Sequence, residues 1–301
     1  MADLELIGVP FDGYGRLGHQ ARAPMALRAA GLPHALRSHV IESASDLELP
    51  APDPTRGPAT TFVNEAALLA MTDALNARVG RAIAARRFPV VYGGDCATLL
   101  GIVTGLRDHV PGTGLIFVDG HEDTMPLDVS EDGEAANAEI GLLLGMTGRT
   151  LRGPLASRLP ALSRDQIAVI GPRDEAWRRQ FNVGTLADTG VWLAPLAATA
   201  AGPVDVGRGA VAALARRCSR WWLHVDLDVL EPAEFPAQGL PDVPDDPGGL
   251  TWPQLTELTT SVVGAGGCLG FSIAIYDPDQ DPESRCAADI VRFVATTLAA
   301  L

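Results

Sequence analysis

The chain has 301 residues, 47% of them hydrophobic, with 23 basic against 37 acidic side chains and a formal net charge of −14. That length and apolar content suffice for one large domain with its own core, and the acidic balance excludes the cationic face that nucleic acid or anionic lipid requires. All 23 basic residues are arginine, which also excludes Schiff-base or P-loop lysine chemistry.

No apolar run reaches the roughly 18 residues of a membrane span. The start, MADLELIGVPFDG, lacks the basic and apolar regions of a secretory signal. Cys96, Cys218, Cys268 and Cys286 form no CxxC pair and read as reduced thiols, so a cytoplasmic location is expected.

In chain order, short apolar runs alternate with longer amphipathic stretches. Strands are predicted at 4–9, 88–92, 115–118, 166–170, 190–193, 221–225 and 268–275. Helices are predicted at 24–32, with proline near the start, and at 65–86, 97–109, 206–217, 253–263 and 282–298. Strands that are almost wholly apolar are buried on both faces. The expected fold class is therefore α/β: a three-layer α/β/α sandwich with a mostly parallel sheet of about eight strands, in a single domain over residues 1–301. Proline- and glycine-rich stretches at 50–58 and 232–249 have the composition of rims or lids.

Three predicted strands end in chemically loaded sequence. Residues 88–92 lead into Gly93-Gly94-Asp95-Cys96, 115–118 into Asp119-Gly120-His121-Glu122-Asp123, and 221–225 into Asp226-Leu227-Asp228. Function in a parallel sheet lies at the carboxyl ends of strands, and a buried carboxylate is costly unless it is paired or on a metal. If the backbone stays extended, residues at i and i+2 share a face, which aims Asp119, His121, Asp123, Asp226 and Asp228 at one point. This hard O/N donor set suits Mn2+ ahead of Mg, Fe, Co, Ni or Zn. The competing reading is an acidic rim on an acidic protein.

The segments GGDC (93–96), DGHED (119–123) and HVDLDVLEP (224–232) resemble, in order and spacing, the three metal motifs of the arginase/agmatinase (ureohydrolase) family. IGVPFDG (7–13), GPRD (171–174), GGLTW (248–252) and YDPDQD (276–281) extend the resemblance over nearly the whole chain. It implies two Mn2+ ions per chain, with Zn, Fe, Co or Ni as substitutes. The first would be held by Cys96, Asp119, Asp123 and Asp226, and the second by Asp119, His121, Asp226 and Asp228. Asp119 and Asp226 would bridge, and a metal-bridging hydroxide would cleave a C–N bond of a guanidino, hydroxyguanidino or related amidine compound. Asp123, His121 and Glu134 are the residues expected to act in catalysis. The partner is a small-molecule substrate, and a trimer or hexamer is implied by the family.

Three departures from the family pattern shape the expectation. Cys96 stands where the family usually has histidine, a softer ligand that favours Zn, Fe or Co over Mn. Ile275 stands where the family has a glutamate that grips the guanidinium, with Asp277 and Asp279 nearby but out of register. The loop 125–140 lacks the family's histidine and offers Asp128, Ser130, Asp132, Glu134, Asn137 and Glu139, read as a mainly solvated acidic loop. Glu122 is expected to point away from the ions, His224 to pack beneath them, and Asp12 and His19 to line the pocket mouth. Two other readings stay open: hydrolysis of a different amide or imine on the same scaffold, and a catalytically weak homologue that acts as a binding protein.

Overall fold

Strand side chains alternate between two apolar layers, and this alternation sets the architecture. The computed structural model describes residues 3–36, 40–41, 46–127, 132–240 and 247–301, so Asp128 and Ser130 lie outside the described residues. Strands β1 (Leu4–Gly8), β2 (Val40–Ile41), β3 (Phe88–Tyr92), β4 (Gly114–Val118), β5 (Ile167–Ile170), β6 (Trp192–Ala194), β7 (Trp221–Asp226) and β8 (Cys268–Ala274) form one sheet in the order β2-β1-β3-β8-β7-β4-β5-β6. Every pairing in it is parallel.

Leu6, Val90, Ile116, Leu223 and Phe271 pack in one layer beneath the helices Ala23–Ala29, Pro203–Leu214, Trp252–Val263 and Arg285–Leu298. Ile7, Val91, Leu115, Phe117 and Val169 pack in the other, beneath Glu65–Ala84, Thr98–His109 and Glu139–Leu143. The chain is thus a three-layer α/β/α sandwich, as the apolar strands predict.

Boundaries move where local chemistry dictates. The helix expected at 24–32 ends at Ala29, and a separate turn, Leu32–Ala35, follows Gly31 at φ 93°. The helix expected at 206–217 runs Pro203–Leu214, because proline at the first position gives up an N–H that has no intrahelical partner there. The helix expected from 282 starts at Arg285, after Ser284 at φ 55°. The two-residue strand β2 and the short helices Glu139–Leu143, Gly153–Ser157, Glu175–Gln180 and Leu196–Ala201 carry too few residues for periodicity to reveal them.

The strand order matters for function. β3, β8, β7 and β4 are consecutive neighbours, so the chain segments following β3, β4 and β7 emerge side by side at the centre of one sheet edge. No helix among the described residues is long and apolar enough to cross a membrane.

Candidate metal centre

β3 runs into Gly93 and Gly94, both with left-handed φ, 92° and 72°. A Cβ on Gly93 would lie 2.7 Å from the ring of Pro24, so glycine alone allows this turn, which delivers Asp95 and Cys96 to the sheet edge. The Cys96 Sγ then sits 2.6 Å from Asp226 Oδ2, 3.1 Å from His224 Nε2 and 3.6 Å from Asp119 Oδ2.

Each of the two aspartates that open a cluster divides its oxygens in the same way. Asp119 Oδ1 accepts the backbone N–H of His121 at 2.6 Å, and Asp226 Oδ1 accepts that of Asp228 at 2.8 Å. Their Oδ2 atoms are left facing Cys96. The donor atoms of Cys96, Asp119 and Asp226 lie within 4.8 Å of one another, as do those of Asp119, His121 and Asp123, and those of Cys96, Asp123 and Glu139. The Asp119–Asp226 separation is well inside the roughly 8 Å beyond which two carboxylates cannot share a pair of ions about 4 Å apart.

The route to this convergence differs from the expected extended backbone. β4 ends at Val118, and Asp123 is turned inward by a left-handed φ of 46°, a conformation aspartate tolerates. Asp228 lies in a 3-10 turn, Leu227–Val229, which the Asp226 side chain caps. The residues meet through two tight turns rather than by strand alternation.

His121 Nδ1 lies 3.0 Å from Asp228 Oδ2 and 3.4 Å from Asp119 Oδ1. Burial would favour the neutral imidazole, but Asp228 and Asp119 outweigh it and raise the His121 pKa well above its ordinary value. Burial would likewise raise Asp228; the facing His121, with Arg173 and the Gly120 N–H, overcomes it and holds this carboxyl at about 2. Burial pushes Asp119 up to about 7, and it pushes Asp123, Asp226 and the Cys96 thiol well above their usual ranges, with neighbouring carboxylates adding to the shift. Upward shifts of this kind mark negative charge lacking compensation. Hard carboxylate oxygens, one thiol and one imidazole, gathered at one point of the sheet edge with Cys96, Asp119, Asp123 and Asp226 buried and His121 half-exposed to the cavity, fit divalent cations.

His224 is buried beneath this cluster, as expected, but it does more than pack. Trp222 Nε1 donates to Ser272 Oγ at 2.8 Å, and Ser272 Oγ lies 2.7 Å from His224 Nδ1. Burial lowers the His224 pKa to about 3, which keeps the ring neutral. An indole N–H can only donate, so Ser272 Oγ accepts from Trp222 and links it to His224, whose Nε2 faces the Cys96 sulfur at 3.1 Å.

Glu122 does point away. Its carboxylate takes the Thr185 hydroxyl at 2.7 Å, the Leu186 N–H and the Arg178 guanidinium at 2.9 Å, and Arg178 also holds Asp174 at 3.0 Å. This buried triad pins the 119–123 turn to the segment after β5. Arg178→Met leaves two buried carboxylates unpaired and is expected to destabilise the protein by about 3–5 kcal/mol, measured by denaturant unfolding.

A cavity of about 380 Å³ opens over the cluster, lined among others by Tyr14, His121, Asp123, Glu134, Arg173 and Ile275. The loop residues Glu134 and Glu139 are buried, which corrects the expectation of a solvated acidic loop. The hydroxyl of Tyr14 bonds Glu134, and burial beside Asp95 raises the Glu134 pKa well above the usual carboxylate range. Asp12 is buried and bound to Arg16 at 2.7 Å, and His19 Nδ1 sits 2.9 Å from Asp277. Neither Asp12 nor His19 lines this cavity. Asp277 is engaged by His19 and Asp279 by Arg22, so neither stands in for the residue that Ile275 replaces. Ile275 adopts φ 66°, strained for a β-branched residue, and packs with Cys96, Ala136 and Ala274 in a small apolar patch.

Sequence context assigns Arg173 no role and reads Glu139 only as part of a solvated acidic loop. Arg173 lines the cavity with Nε and Nη1 lacking hydrogen-bond partners among the described residues. A signal for Glu139 did exist: Ile140, Leu142 and Leu143 follow it directly, a short apolar helix whose first residue is drawn inward with it.

The model of the family described as "Arginase family" matches residues 2–299. The arginase of Bacillus caldovelox is 27% identical over 258 residues, covering 84% of this chain and 83% of that protein. The crystal structure of arginase from Bacillus subtilis superposes with a TM-score of 0.80 at 23% identity, covering 98% of each chain. A formiminoglutamase from Trypanosoma cruzi, solved with Mn2+, superposes with a TM-score of 0.73 at 19% identity, covering 99% of this chain and 93% of that one.

Proposed function

The chain belongs to the arginase family, and from that premise we propose that it is a two-ion hydrolase cleaving a C–N bond of a guanidino, hydroxyguanidino or related amidine compound. The observation that carries this reading is the meeting of Cys96, Asp119 and Asp226 donor atoms within 4.8 Å, at a buried point where Asp123, His121 and Asp228 also arrive. Cys96, Asp119, Asp123 and Asp226 would hold one ion, and Asp119, His121, Asp226 and Asp228 the other. Mn2+ is the proposed native ion, in keeping with the oxygen-rich donor set. Bound there, a pair of divalent ions supplies Lewis acidity and activates water at neutral pH.

The remaining roles fall to the chain itself. The backbone N–H groups of His121 and Asp228 lock one oxygen of each bridging aspartate and so fix the aim of the other. Asp123, at the cavity wall, would take a proton from the attacking water and return it to the departing amine as the C–N bond breaks. Glu134, held by Tyr14 at the cavity wall, would contact the nitrogen atoms of the substrate. The cavity volume of about 380 Å³ suits a small molecule.

The decisive assay is product release from a panel of guanidino and amidine compounds by Mn-loaded protein, with metal content measured in parallel. Two ions per chain with turnover of at least one compound supports the proposal. Two ions without turnover across the panel would favour a binding protein.

Cys96→His is expected to retain more Mn2+ after dialysis than the unmodified chain, because imidazole suits Mn2+ better than a thiol does. Equal or lower Mn2+ in a variant whose circular dichroism is unchanged would remove Cys96 from the ligand set.

A further inference from the structure

Glu122 and Glu139 are both deeply buried near the centre, and their surroundings are opposite. Glu122 has a hydroxyl, a backbone N–H and a guanidinium on its carboxylate. Glu139 is fully buried, and neither Oε1 nor Oε2 accepts from another residue's backbone N–H, hydroxyl or guanidinium among the described residues; the Asp123 carboxyl alone faces it within hydrogen-bond reach. What lies close instead is the Cys96 sulfur and a carboxylate oxygen of Asp123, all within 4.8 Å of Glu139 and of one another. A carboxylate placed there for structure would be paired as Glu122 is, since an unpaired buried charge is strongly unfavourable. Two carboxylates can face each other when a proton lies between them or when a cation does. The sulfur completing the triangle is itself a metal donor and also faces Asp119 and Asp226.

We propose that Glu139 is a metal ligand, holding the ion on the Cys96 side of the centre together with Cys96, Asp119, Asp123 and Asp226. This rests on the two-ion reading above. Its chemical consequence is compensation: a carboxylate is a hard donor and offsets the softness of the thiolate, so the position stays suited to Mn2+, Fe2+ or Co2+ rather than turning to Zn2+ alone. The residue is delivered by the first turn of the helix Glu139–Leu143, whose apolar side chains are anchored in the core, a rigid mount for a ligand.

The test is calorimetric titration of metal-free protein with Mn2+, and with Co2+ followed by absorption, for the unmodified chain, Glu139→Gln and Glu139→Ala. The unmodified chain should take up two ions. Both variants should keep one and bind the second roughly 100-fold more weakly or worse, and the Co2+ spectrum should lose its thiolate-to-metal band. Glutamine is nearly isosteric but carries no charge, so it would rescue a packing or hydrogen-bonding role and not a ligand role. Metal-free Glu139→Gln should also melt at a higher temperature than the metal-free unmodified chain, because an uncompensated charge has gone, and should gain less from added metal. Two ions bound by Glu139→Gln with unmodified affinities would overturn the proposal and assign Glu139 to a proton shared with Asp123. An unmodified chain that takes up fewer than two ions would overturn the two-ion reading, and the role of Glu139 with it.

Discussion

Replacing Asp226 by alanine is expected to lower hydrolysis by roughly 10⁴-fold, equivalent to about 5.5 kcal/mol of transition-state stabilisation, and to reduce bound metal from two ions to at most one. This side chain does three things here. Its Oδ2 is 2.6 Å from the Cys96 sulfur, its Oδ1 caps the turn that carries Asp228, and it ends the central strand β7. Truncation therefore removes a shared donor and loosens the turn holding a second ligand. Asp226→Asn separates the two effects: it keeps an oxygen for the Asp228 N–H and loses the charge. The asparagine variant should hold its fold by thermal unfolding and still lose most of its activity. Turnover within about tenfold of the unmodified chain in either variant would remove the bridging role.

Free arginine is expected to be a poor substrate even with both ions loaded, and Ile275→Glu should raise its kcat/KM by roughly 10²-fold. Ile275 presents an apolar surface continuous with Cys96, Ala136 and Ala274, and such a wall offers a guanidinium none of the charge-assisted hydrogen bonds that binding it requires. Asp277 and Asp279 are engaged by His19 and Arg22 and stay out of the cavity. Of the other carboxyls beside the substrate space, Asp132 accepts the Asn137 side-chain amide at 3.0 Å, and burial and the proximity of Asp95 raise the Glu134 pKa well above the usual carboxylate range. An N-hydroxylated or acylated guanidine, which binds neutral, should be handled better. Comparing kcat/KM for arginine and such analogues, before and after the substitution, checks this. Arginine turnover comparable to that of the best substrate, in the unmodified chain, would contradict it and assign the grip on the cation to Glu134 or Asp132.

Much of this was legible before any coordinates, for a physical reason. A strand buried on both faces must be apolar throughout, so the acidic groups directly after the runs ending at Tyr92, Val118 and Val225 had to lie at a sheet edge, and the order β3-β8-β7-β4 makes those three ends neighbours. The i, i+2 spacing was informative for a different reason than alternation: it is also the spacing at which an aspartate caps the turn after it, as Asp119 and Asp226 do. The loop 125–140 was the hardest to read. Its polar composition reads as solvated, yet Glu134 and Glu139 are buried because the cavity and the metal cluster, formed by distant strands, receive them. Tertiary context of that kind leaves no local period. The link from Trp222 through Ser272 to His224 and Cys96 was likewise invisible, since it needs β8 beside β7 in register, Ser272 against His224.

The most direct test of the central claim is a crystal structure of the Mn-loaded protein with anomalous diffraction collected to locate the ions. The account predicts two peaks per chain about 3.5–4 Å apart, both touched by Asp119 and Asp226, with Cys96 and Glu139 on one and His121 and Asp228 on the other. A single peak, or two ions that share neither aspartate, would contradict it.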